Sequence, residues 1–267
     1  MAQGGFRDAL SETLAPSSGG GRVTELLNPQ IMNIGSYNNP YTVAEAQPSA
    51  RAAFIRNTYL HLAMAVMALV AIETVLLQIP AMREMAMKMV GGFMWLVVLG
   101  LFMFVSHIAT KWAHSGSSRG TQYAGLGLYT VAQAIILMPL LMIASYKAGD
   151  NSLIVKAGMI TGGLFLGLTA VTFVTKKDFS FLGSVISVGS FIALGCIVAG
   201  VVFGFSLGLF FMGAMILLMA GSILYQTSNI MHHYSTTQHV AASLALFASV
   251  ATLFWYVLQF VMSMSND

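Results

Sequence analysis

The sequence predicts an all-α integral membrane protein: one seven-helix bundle behind a polar N-terminal extension. Three observations carry that class. Of the 267 residues, 57% are hydrophobic and only 8% are Asp, Glu, Lys or Arg, against about 25% charged in a soluble domain. From Thr58 onward the chain is a train of apolar runs, each long enough to cross about 30 Å of hydrocarbon. Those runs do not alternate, as the short strands of a closed barrel would. The charge balance excludes a nucleic-acid partner, because 12 basic and 9 acidic residues are scattered singly or in pairs and form no basic stripe. Cys196 is the single cysteine, which excludes an intramolecular disulfide and any site built on several thiolates.

Residues 1–57 form the polar extension. It carries Gly19-Gly20-Gly21 and Ser36-Tyr37-Asn38-Asn39-Pro40. No apolar core of a secretory signal precedes Thr58, and Asp8, Glu12, Glu25 and Glu45 argue against an Arg-rich presequence. The extension is too polar to fold alone. Phe6, Leu10, Leu14, Leu26, Leu27, Ile31, Met32 and Ile34 are spaced so that it can dock in short pieces on partner subunits, and that is the expectation.

Membrane spans are expected at 58–79, 88–109, 121–145, 153–174, 181–205, 207–231 and 239–263. Breaks fall at Pro80-Ala81-Met82-Arg83-Glu84, from Lys111 to Gly120, from Tyr146 to Ser152, and at Thr175-Lys176-Lys177-Asp178. Only Gly204-Phe205-Ser206-Leu207-Gly208 divides the fifth span from the sixth, and the last break runs from Met231 to His239. An odd number of crossings puts the termini on opposite sides. With the N-terminus inside, Arg7, Arg22, Arg51, Arg56, Lys111, Arg119, Lys176 and Lys177 lie inside, and Arg83, Lys88, Lys147 and Lys156 lie outside. That excess of inner basic residues favours N-inside. Small residues spaced by four, at Gly158/Gly162, Gly163/Gly167 and Gly200/Gly204, read as close packing within the bundle.

Ionisable groups inside a bilayer are costly and so are functional candidates. From Phe179 to Asn266 there is no Asp, Glu, Lys or Arg at all. Glu73 alone lies well within a span, and it reads first as an interfacial acid that reaches water near the headgroups. His61 and His107 read as interfacial hydrogen-bonding residues. His232, His233 and His239 form the densest polar cluster, but no carboxylate or thiolate joins them, so a solvated loop is expected rather than a metal site. No HExxH or GxSxG pattern is present. No catalysis, cofactor or metal is expected. In the loop between spans four and five, Lys176 and Lys177 can face lipid phosphates, and Asp178 or Ser180 can cap the next helix.

Three segments together resemble one family. They are Phe54-Ile55-Arg56-Asn57-Thr58-Tyr59 ahead of the first span, Thr175-Lys176-Lys177-Asp178-Phe179-Ser180-Phe181-Leu182-Gly183 between spans four and five, and Ile223-Leu224-Tyr225-Gln226-Thr227-Ser228-Asn229-Ile230-Met231-His232 closing span six. Over about residues 54–260 the chain resembles the Bax inhibitor-1 family, and within it the bacterial YccA-like branch. The resemblance implies a bundle whose last helix is central. It also implies a calcium-leak gate made of two aspartates, but Gln226 and Ser249 stand at those positions here. The YccA-like branch is associated with modulating a membrane AAA protease of the FtsH type. A central last helix would let Gln226, Thr227, Ser228 and Asn229 hydrogen-bond to Ser249 and Thr252 in a network that locks the bundle.

Two functions are thus expected in order. The first is a non-enzymatic accessory or regulatory subunit of a larger complex in a bacterial or mitochondrial inner membrane, in contact with lipid and with other integral membrane proteins. The second is a calcium or proton leak channel of the Bax inhibitor-1 type, serving ion homeostasis and stress or cell-death control.

Overall fold

The computed structural model describes residues 42–90, 92–116 and 118–265. Of the polar extension expected over residues 1–57, residues 1–41, which include all the apolar residues expected to dock on partners, lie outside them. The described chain forms eight helices: α1 Pro48–Leu76, α2 Pro80–Met89, α3 Gly92–Ala113, α4 Arg119–Ala148, α5 Ser152–Thr175, α6 Leu182–Phe203, α7 Gly208–His232 and α8 His239–Met264. All but α2 are long and apolar enough to cross a membrane. The sole β pairing among the described residues is an isolated antiparallel bridge between Thr42 and Ser235.

Two boundaries differ from the hydropathy reading, and proline explains both. Helix α1 starts at Pro48, not Thr58, because a proline at the first helical position is pre-set for the turn and its missing N–H costs nothing there. Arg51 and Arg56 hide this turn from a hydropathy scan, yet the Arg51 guanidinium reaches the carbonyl of Met231 at the end of α7, at 3.4 Å. Pro80 likewise ends one helix and opens another. The expected break at Pro80–Glu84 is therefore the first half of α2, whose Ala86 and Met89 are buried. The second span starts accordingly later, at Gly92. The narrow boundary between spans five and six is real: Gly204 (φ +71°) and Gly208 (φ +66°) take the left-handed conformation that stops α6 and starts α7.

Helix α8 occupies the centre, packed by α1, α3, α4, α5 and α7. Its buried residues, among them Ala241, Leu244, Leu246, Phe247, Leu253, Val257 and Leu258, point in every direction, so it keeps no lipid face. Helix α4 shares the middle of the bundle. An uninterrupted run from Ile136 to Leu141 is buried there, with Pro139 inside it. Helices α3 and α6 are peripheral, each burying two residues: Ala109 and Ala113, and Ala193 and Gly200.

The small-residue pairs behave differently from expectation. A Cβ added at Gly158, Gly162, Gly163 or Gly167 of α5 would meet nothing within 4 Å. These glycines do not mediate packing inside this chain. The close crossing is at Gly125 of α4 instead, where a Cβ would lie 2.6 Å from the Ala109 carbonyl oxygen and 2.8 Å from the Ala113 nitrogen. Backbone cannot yield as a side-chain tip can, so Gly125→Ala should push α3 off α4 and destabilise the bundle by about 1–3 kcal/mol. Gly158→Ala should be neutral or slightly stabilising. Thermal unfolding of the two variants in detergent checks the contrast, and equal melting points would refute it.

Candidate functional site

The last turns of α7 carry the polar run, and helical geometry sends its members to different neighbours. Ser222 and Ser249 face each other in the bundle centre, where their hydroxyls hydrogen-bond at 2.8 Å. Ser249 also donates to the Ala245 carbonyl one turn back, at 3.1 Å. Gln226 stands one turn beyond Ser222, is half-buried, and lines a groove against α6 with Gly183, Ser184, Ser187 and Tyr225. Among the described residues no hydrogen bond joins Gln226, Thr227, Ser228 or Asn229 to Ser249 or Thr252. Thr252 bonds the Ala248 carbonyl of its own helix at 2.8 Å. The α7–α8 tie therefore exists through Ser222, whose only signal in the sequence is its position one helical turn before Gln226.

Thr227 and Ser228 point away from α8. Thr227 is fully buried, and its hydroxyl lies beside those of Tyr59 of α1 and Thr169 of α5. None of the three completes a bond of good geometry. Ser228 accepts the backbone N–H of Phe179 at 2.9 Å and donates to Asp178 Oδ1 at 3.3 Å. Asn229 acts through its carbonyl, which accepts the N–H groups of His233 and Tyr234 and closes α7.

The loop from Lys176 to Ser180 and the end of α7, two separate features in the sequence, meet in one cluster. Asp178 does not cap α6, which begins at Leu182 without a side-chain cap. Its Oδ1 instead accepts the Ser180 N–H at 2.9 Å and the Ser180 hydroxyl, closing a tight local turn. Asp178 Oδ2 lies 3.1 Å from His233 Nε2, and the Ser180 hydroxyl is 3.2 Å from the same nitrogen. Ser180's hydroxyl and amide first, and then His233, hold the Asp178 carboxyl down at about 2. Lys176, in the left-handed conformation at φ +52°, and Lys177 project outward.

The histidines do not assemble. His232 and His233 end α7 with ring centroids 6.2 Å apart. His239 opens α8 and sits 5.0 Å from His61, which stacks on Tyr123 at 5.3 Å. This stack had no signal in the sequence. Among the described residues no three His, Cys, Asp or Glu side chains gather as metal ligands. His107 is exposed on α3. Glu73 does not reach water: its side chain turns into the bundle and is 4% exposed.

Because the Asp178 carboxyl is lowered, its tie is complete above about pH 4 and is lost as the pH falls through about 2. At neutral pH, Asp178→Asn should reproduce the acid state. Trypsin cleavage after Lys176 and Lys177 should then rise, by no more than about fivefold for a pair this exposed to solvent, with the bundle still folded. Unchanged cleavage would mean that Asp178 holds nothing in place.

Comparison with known proteins places this geometry. Residues 51–267 match the family model described as inhibitor of apoptosis-promoting Bax1. The chain is 27% identical over 239 residues to Bax inhibitor 1 of Schizosaccharomyces pombe, covering 88% of this chain and 85% of that protein. It is 26% identical over 230 residues to protein lifeguard 4 of Mus musculus, covering 84% and 91%. An uncharacterized protein of Pseudomonas aeruginosa is 28% identical over 209 residues, covering 77% and 86%. The three quoted sequence motifs all fall within the matched region, as do the membrane spans apart from the first three residues of α1, and the chain belongs to the Bax inhibitor-1 family.

Proposed function

We propose that this protein is a regulatory membrane subunit that acts on other integral membrane proteins by side-to-side helix contact and does not conduct calcium. The observation that carries this reading is the Ser222–Ser249 hydroxyl pair at the bundle centre, next to the positions where paired acids would have to stand. Calcium sheds its water only for six to eight oxygens, carboxylates among them. Two serines and a glutamine neither replace that shell nor titrate.

The open glycines of α5 supply the contact surface. Gly158 and Gly162, and Gly163 and Gly167, each present one helical turn without a side chain to the outside of the bundle. Such a surface lets a neighbouring backbone approach closely in lipid, where dispersion and weak hydrogen bonds drive association. The family description and the name Bax inhibitor 1 denote action on another protein, which agrees with a contact role. A membrane AAA protease is the partner class that the sequence resemblance implies. The positive-inside balance supports an N-terminus on the inner side of what we take to be a bacterial or mitochondrial inner membrane, with residues 1–41 as a further tether.

Two measurements test the reading. Vesicles containing the full chain should show negligible calcium flux at any pH from about 5 to 8; a robust flux that Gln226→Ala abolishes would establish the channel instead. Gly162→Leu, at a position where an added Cβ meets nothing within 4 Å, should leave the melting temperature nearly unchanged yet reduce co-purification with the membrane AAA protease severalfold. Equal recovery of the protease with Gly162→Leu and the unaltered chain would rule out α5 as the contact face.

A further inference from the structure

Glu73 lies in the last turn of α1 and continues the buried stripe of Thr58, Leu62, Ala65 and Leu69. Only 4% of its surface is exposed, and both carboxyl oxygens are buried without any hydrogen-bond partner. Helix α1 packs most extensively on α4 and α8, while Tyr59 near its start also touches Phe165 and Phe173 of α5; α1, α4 and α8 run in the same direction across the membrane. The His61 contacts with Tyr123 and His239 fix their register. Twelve residues further along each helix (73 − 61), the level of Glu73 falls near Ile135 on α4 and Ala251 on α8.

The titratable groups on those two helices are Arg119, Tyr123, Tyr129, Tyr146 and Lys147 on α4, and His239 and Tyr256 on α8. None of them donates to or faces the Glu73 carboxyl. Of the cations on the same half of the bundle, Lys147 is committed to the Met262 carbonyl at the end of α8, and Arg83, Lys88 and Lys156 are exposed and none bonds to Glu73. A bare carboxylate cannot be held in such surroundings without compensation. A metal cation would need several further oxygen ligands, and no hydroxyl or amide lies within hydrogen-bonding reach. A proton needs no additional ligand.

We propose that Glu73 is a membrane-embedded proton-binding site, whose carboxyl fills the packed bundle as the neutral acid and whose proton leaves only when water enters between α1, α4 and α8. The position makes this exchange feasible. Glu73 is within one turn of the end of α1 at Leu76, so water need penetrate only the first layer of side chains. Proton release at this point would loosen the packing of α1 on the central helix, which gives the bundle a pH-dependent state independent of the partner contacts proposed above.

Infrared spectroscopy of the full chain in lipid vesicles provides the test. At neutral pH the spectrum should contain a carbonyl band of a protonated carboxylic acid that Glu73→Gln removes. As rising pH abolishes that band, the protection of amides over residues 70–77 from hydrogen exchange, taken relative to the intrinsic base-catalysed rate at each pH, should fall in the unaltered chain and stay flat in Glu73→Gln. Glu73→Leu gives the same difference spectrum should the Gln variant insert poorly. A neutral-pH difference spectrum that contains only carboxylate bands would overturn the proton site. Protection that stays flat in the unaltered chain while the acid band disappears would overturn the coupling to helix packing.

Discussion

Hydrocarbon offers no partner to a hydrogen-bonding group, so every polar side chain within these spans must find its own or remain unpaired. Most of the hydroxyls solve this locally. Thr58, Thr130, Thr172, Ser187, Ser249 and Thr252 each donate to the carbonyl one helical turn back. Such bonds satisfy the hydroxyl without linking helices, and this is why a polar-looking stretch of α7 yields few interhelical ties. What remains after this local accounting marks the places where the fold is specified or unfinished. The Ser222–Ser249 pair joins two helices, whereas Tyr59, Thr169, Thr227 and Glu73 are left buried with unpaired atoms.

The same constraint decides what the sequence could show. Span number and approximate limits were legible because a run of apolar residues is a one-dimensional signal. Direction around each helix was not. In a soluble helix the polar face reveals which side is buried, but here lipid-facing Met67 and Val70 are as apolar as core Leu62 and Leu69. The orientation of Glu73 was hidden for that reason, and so was the outward turn of the α5 glycines. Hydropathy also overlooks helix that leaves the hydrocarbon, such as α2 and the first turns of α1, where proline chemistry was the better guide. The Asp178–His233 contact joins residues 55 apart in sequence, and nothing local announces it.

A central last helix accompanied by α4 changes how motion at the centre must be pictured. Phe247 of α8 sits edge-on to Tyr129 of α4 at 5.8 Å, Trp255 stacks on Trp95 of α3 at 5.6 Å, and Phe211 of α7 meets Tyr256 at 6.0 Å. These rings lock α8 to three neighbours along its length. Displacing it would disturb all of them together, so the peripheral α6, which none of these rings holds, is the element able to shift at low cost. The polar groove at Gln226 lies along α6 and therefore on the movable side of the bundle.

The segment entering α1 is fastened to the turn after α7. The Val43 N–H bonds the Tyr234 carbonyl at 2.9 Å, Thr42 bridges Ser235, and Phe54 packs on Tyr234. During synthesis, residues 42–54 emerge long before the turn they grip. The helix that fills the middle, α8, is the last to be made. The first six spans must therefore enter the bilayer around an unfilled position, with Arg51 and Val43 lacking their partners, until the ribosome delivers residues 231–264. Insertion of α8 and fastening of this clasp then coincide. A chain truncated before Met231 would be recognisable to quality control by both defects at once, an open centre and an unclasped first helix.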